Sequence, residues 1–158
     1  MPDKTYKRGW KAHTGFNIAQ FIREHLMEVE EDYVQDMYRE LKNKLEEKGI
    51  TYWGSRDSFG TYINDLRRLN LIRFKREGEA PFEGSPKRRY YEIVPEHKDS
   101  KAWNQPQLVL YPERVYGGKS YQVKKKEAEE KGMTVKELAL EEHPELKKIR
   151  EELNISNI

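Results

Sequence analysis

Residues 55–74 read "SRDSFGTYINDLRRLNLIRF". Phe59, Tyr62, Ile63, Leu66 and Leu69 recur at helical spacing, which predicts a helix with one buried face. Ser55 or Asp57 is placed to cap its start. Asn70 follows the last apolar position, and asparagine tolerates the left-handed backbone that closes many helices. Beyond it, Ile72 and Phe74 alternate with Arg73 and Lys75, the period of a strand. Helix, stop and strand are therefore expected in one short run. Asp57, Thr61, Asn64 and Arg68 fall on the face opposite the apolar stripe, at steps of four, three and four.

Working outward, "RRYYEIV" alternates again, with Tyr91 and Ile93 on one side. The intervening "REGEAPFEGSPK" holds two glycines and two prolines, so the pair reads as a β-hairpin with a long tip. Upstream, Asn17 caps a helix to about Leu26, with Ile18, Phe21, Ile22 and Leu26 as its apolar stripe. A longer helix is expected from about Glu31 to Lys48 on Val34, Met37, Tyr38, Leu41 and Leu45, closed by Gly49. Glu30, Glu31 and Asp32 suit its positive end, and read as dipole and solvation rather than as a carboxylate active site. Downstream, residues 95–118 are irregular, and "QLVLY" (107–111) is expected to be a short third strand. The tail is charged and helical from Ser120. Thr134 and Glu137 make a capping-box pattern, and Pro144 opens a last helix on which Leu146, Ile149 and Leu153 align.

The fold class expected is mainly α with a small antiparallel β-hairpin (α+β). Three regions follow: a basic N-terminal arm at 1–15, a domain at 16–97, and an irregular segment with a C-terminal helical extension at 98–158. Hydrophobic residues are 35% of the 158 and charged residues 37%, against about 25% charged in an average domain. The core must be compact and much of the chain solvated. Three Trp, ten Tyr and five Phe argue against a disordered chain. Cysteine is absent, which excludes a disulfide framework; no apolar run approaches the ~20 residues of a membrane span. A cytoplasmic protein without membrane contact is the expectation. The net charge of +2 is unevenly spread. Residues 28–48 hold eight acidic and four basic groups, whereas residues 55–91 hold nine basic and five acidic. One basic face on a nearly neutral body fits that distribution.

Three helices followed by a basic hairpin resemble a winged helix-turn-helix. "INDLRRLNLIRF" resembles the end of the recognition helix in MarR-like and PadR-like regulators, with Leu66 and Leu69 running into Leu71 and Ile72. "KRRYYEIVPEH" is similar to their returning wing strand, through Arg88, Arg89, Tyr90 or Tyr91, and Val94-Pro95. Asn70 stands where those families usually have glycine, and Val94 where they have threonine. The resemblance spans residues 17–97. It implies a double-stranded DNA-binding protein, a transcription regulator without catalysis or cofactor. The helix at 55–69 would enter the major groove and the wing at 72–94 would meet phosphates. Thr61, Asn64 and Arg68 are the expected base readers. Arg56, Ser58, Arg67, Arg73, Lys75, Arg76, Lys87, Arg88 and Arg89 are the expected backbone contacts. The C-terminal helices would pack on the core or form a homodimer.

Other chemistry finds less support in the residues. "GGKS" (117–120) lacks the earlier glycine of a phosphate-binding loop, since Glu113 stands there. His13, His25, His97 and His143 are scattered, and without cysteine a metal site would need distant ligands; none is expected. No nucleophile motif surrounds Ser55 or Ser58. Tyr52 and Trp53 read as packing residues more readily than as stacking ones. Two rival functions use the same fold: a protein-interaction module, and nucleic-acid binding in replication or a mobile element.

Overall fold

A computed structural model describes residues 16–51 and 54–157. The basic arm and the Tyr52–Trp53 pair lie outside the described residues. Helix α1 spans Ile18–Val29, α2 Val34–Glu47 and α3 Arg56–Arg68; strands β1 (Ile72–Glu77) and β2 (Arg89–Ile93) form one antiparallel pair. The chain is thus mainly helical with a small hairpin, an arrangement compatible with a winged helix.

Local chemistry explains each boundary. The Asn17 side chain accepts the Gln20 amide at the start of α1, and Ser55 accepts the Ser58 amide at the start of α3. Asn70 has φ 60°, the left-handed stop that ends α3, and its amide donates to the Arg67 carbonyl at 2.9 Å. Helix α1 runs a turn past Leu26 and ends at Glu30, which also has positive φ. Helix α2 starts at Val34 rather than Glu31. The reason is a pairing with the hairpin. Asp32 stays extended and exchanges two backbone hydrogen bonds with Tyr91, at 2.8 and 3.2 Å. The sheet therefore gains a one-residue third strand, which ties the hairpin to the α1–α2 junction.

The register pairs Ile72 with Ile93 and Phe74 with Tyr91, then shifts so that Arg76 faces Tyr90. Lys75 is the extra residue of a β-bulge. Simple alternation would put Arg76 on the side of Phe74; the bulge moves it to the side of Arg73 and Tyr90. Gly78 continues the pair, its amide donating to the Arg88 carbonyl at 2.7 Å. A Cβ at Gly78 would lie 2.4 Å from Cε2 of Tyr90, so only glycine lets that ring lie over the chain.

The extension is built differently from expectation at one point. "QLVLY" is not a strand: Pro106–Leu110 forms a short helix, α4. A short apolar run cannot be told from a helical one by period alone, and proline at the first helical position favours the helix. Helices α5 (Gly118–Glu130), α6 (Val135–Glu142) and α7 (Pro144–Glu152) follow. The Thr134–Glu137 capping box forms, and Pro144 opens α7.

One core unites both parts. Ile22, Met37, Leu41, Phe59, Leu66 and Leu71 from the first three helices and the hairpin root pack with Trp103, Leu110, Leu146 and Leu153 from the extension. Leu138, Leu146, Ile149 and Leu153 are buried within the chain itself, so the residues that suggested dimer contacts serve its own core. Arg150, only 2% exposed, links the extension together. Its guanidinium donates to the carbonyls of Val109 at 2.5 Å and Ile155 at 3.2 Å. The Asn70 side chain donates to the Leu153 carbonyl at 2.7 Å, fixing the end of α3 to the tail.

Candidate nucleic-acid interface

Helix α3 buries Phe59, Ile63, Leu66 and Leu69 completely or nearly so, which holds its other face outward. Gly60 and Asn64 on that face, together with Arg56, Asp57 and Thr61, line a groove of about 460 Å³ against Val34 and Gln35 of α2. The groove thus runs from the first turns of α2 and α3 along the middle of α3. Val34 and Gln35 were not read from the sequence as site residues. Their only signal was their position in the first turn of the preceding helix.

The expected base readers separate in space. Thr61 and Asn64 are in the groove, and the Thr61 hydroxyl donates to the Asp57 carbonyl at 3.2 Å. Arg68 is one turn further along the same stripe, and its side chain turns to Tyr111, donating to the phenol oxygen at 3.1 Å. Among the expected backbone contacts on α3, Arg56 lines the groove and Ser58 belongs to the helix cap, its amide bound to Ser55 Oγ at 3.1 Å. The Arg67 guanidinium lies 5.5 Å from the Tyr91 ring centre.

The hairpin cations divide into two groups. Arg73 Nε lies 2.8 Å from Glu92, and Lys75 Nζ lies 3.4 Å from Glu31 and 3.8 Å from Glu92. Arg76 Nε sits 2.8 Å from Glu31 Oε2, an ion pair whose alignment falls outside a hydrogen bond's. The acidic run before α2 is therefore more than dipole and solvation. Glu31 pairs with Lys75 and Arg76 of the first strand, and Asp32 is 4% exposed, bound by the Tyr33 amide at 2.8 Å. Lys87, Arg88 and Arg89 have no carboxylate at ion-pair distance among the described residues. Arg88 lies over the Tyr33 ring at 4.5 Å and Arg89 over Phe74 at 4.8 Å, while Arg76 covers Tyr90 at 4.1 Å. Tyr33 meets Tyr90 edge-on at 5.5 Å. Arginine, two tyrosines and a second arginine therefore form a ladder from the start of α2 across the hairpin. Cation–π contact holds each guanidinium plane while its N–H edge stays available.

His25 Nε2 lies 2.6 Å from Asp32 Oδ2, and Asp36 completes a group whose ligand-type atoms lie within 4.8 Å of one another. Such a group could hold a divalent cation. Each member already has a protein partner, Asp36 through Arg39, and those contacts account for the cluster. In the sequence His25 stands out only for the acidic residues near Glu28; its partner Asp32 is seven positions on, past the end of α1.

Beneath the stripe of α3, Asp65 is 6% exposed. Burial pushes its carboxyl above the usual range, against the pull of Arg68 and Arg114. No helix among the described residues is long and apolar enough to cross a membrane. Comparison with protein-family models, with curated proteins and with solved structures finds no match to this chain.

Proposed function

We propose that the protein is a winged helix-turn-helix that binds double-stranded DNA, acting as a transcription regulator. The observation that carries this reading is the outward groove of α3, with Arg56, Thr61 and Asn64 along it. It combines groups that hydrogen-bond base edges with a basic hairpin arm, Lys87–Arg89, that keeps its charge. Asparagine pairs bidentately with adenine, a contact worth about 1–3 kcal/mol of discrimination. Thr61 meets a thymine methyl or a phosphate, and Arg56 and Lys87–Arg89 hold the backbone. The protein-interaction reading uses the same fold but gives no role to a polar groove or to hairpin cations that close no ion pair among the described residues.

Selection of bound duplexes from a random library tests the reading. The expected result is an enriched motif, with Asn64→Ala relaxing preference at one or two positions while the thermal midpoint holds. Weak, salt-sensitive binding without enrichment would leave a nonspecific role, and no duplex binding would refute it.

A further inference from the structure

The extension adds an aromatic ring and a second arginine beside Arg68 at the end of the α3 stripe. Tyr111, between α4 and the turn Pro112–Val115, has Arg68 on its hydroxyl at 3.1 Å and Arg114 over its ring, 4.2 Å from the centre. Both arginines are exposed. Neither has a carboxylate at ion-pair distance among the described residues. Both pull on the carboxyl of Asp65, which lies buried beneath the helix. Lys136 on α6 belongs to the same neighbourhood: burial lowers its ammonium, Arg150 adds to this, Glu113 opposes it, and Arg68 adds again.

Arg68 follows Asn64 by four residues, about 6 Å along the helix axis and within ~40° of the same face. A ligand lying along the groove therefore reaches Tyr111 next. A guanidinium stacked on an aromatic ring keeps its planar fork of donors and loses little freedom on pairing with phosphate. Arg114 lies over the Tyr111 ring and Arg68 is held on its hydroxyl, so the Arg68 donor is already turned from the helix toward the extension, away from a base edge in the groove.

We infer that Arg68 and Arg114, held by Tyr111, form a phosphate clamp through which the C-terminal extension contacts the DNA backbone beside the α3 groove. The inference rests on the DNA-binding reading above, and it reassigns Arg68 from base reading to backbone contact.

The experiment compares full-length wild type, Arg114→Ala, Arg68→Ala and Tyr111→Leu on duplexes, measuring affinity across salt and base preference. Each arginine variant should flatten the slope of log affinity against log salt by up to ~0.9 and weaken binding about fivefold at ~0.15 M salt. Base preference should stay that of the wild type. Tyr111→Leu should lose as much as Arg114→Ala, and Tyr111→Phe, which keeps the ring, should lose less. Arg114→Ala with wild-type affinity and slope overturns the clamp. Altered base preference in Arg68→Ala overturns the reassignment. A wild type that binds no duplex overturns the DNA reading itself, a result distinct from either.

Discussion

The two arms of the hairpin bring equal numbers of cations but keep different amounts of charge. On the first arm, Arg73, Lys75 and Arg76 share Glu31 and Glu92, so two carboxylates offset three cations. On the second, Lys87, Arg88 and Arg89 close no ion pair among the described residues, and two of them rest on aromatic rings. Glu77 stands opposite Arg89 in the register without reaching it. The difference comes from the third-strand residue and the bulge. Pairing at Asp32 brings Glu31 against β1, and the extra residue Lys75 puts Arg76 on the side where Tyr90 lies. Exposed ion pairs are individually weak, about 0–1 kcal/mol. Their effect here is on the field that a polyanion meets, which depends on net local charge.

The strongest way to break this contrast is to remove the second arm's charge. Replacing Lys87, Arg88 and Arg89 together by Ala should cost about a hundredfold in duplex affinity near 0.15 M salt, with the salt slope shallower by up to ~2.7 for three contacts. Loss should be equal on all sequences, since phosphate contacts carry no base information. Titration at three salt concentrations decides it, and an unchanged slope in a folded variant removes the arm from the interface.

Next in size is Gly78→Ala. The added Cβ collides with Tyr90, and overpacking of this kind costs about 1–3 kcal/mol. Thermal unfolding should show a lower midpoint, and amide exchange should place the loosening in the hairpin. A midpoint equal to wild type would mean that the Tyr90 ladder is not a fixed part of the structure.

Neutralising the carboxylates sharpens the comparison in the other direction. Glu31→Gln with Glu92→Gln frees the first-arm cations, so binding should strengthen by about fivefold or less and the salt slope should steepen. Weaker binding in this variant would show that the two carboxylates position the arm rather than mask it. The smallest effect is expected from Arg73→Ala, Lys75→Ala and Arg76→Ala combined, under about threefold in affinity, because their charge is already offset. If this variant lost as much as the second-arm one, the ion pairs would have to open on contact with DNA, and the contrast between the arms would fail.

Much of the fold was legible because it rests on local rules. Asn17 and Ser55 as caps, Asn70 as a left-handed stop, Thr134 with Glu137, and Pro144 at a helix start all act within a few residues. The apolar stripes of α1 to α3 and the alternation at Ile72–Phe74 and Tyr91–Ile93 likewise stand on period alone. The errors had a different origin. The start of α2 moved because Asp32 pairs with Tyr91, fifty-nine positions along the chain. The expected strand at 107–111 became α4 because a short apolar run fits either period; Pro106 opens the helix, and Arg150 from the last helix donates to the Val109 carbonyl near its end.

For the candidate interface, the sequence by itself determined which side of α3 faces outward and that the hairpin is basic, since both follow from spacing and composition. Only the tertiary structure decided which of those cations meet a carboxylate among the described residues, that Arg68 turns to Tyr111, and that Val34 and Gln35 complete the groove. The physical reason is range. Helical and strand periods are set by backbone geometry within one or two turns, whereas an ion pair or a stacked ring depends on atoms within about 4–6 Å, whatever their separation in the chain.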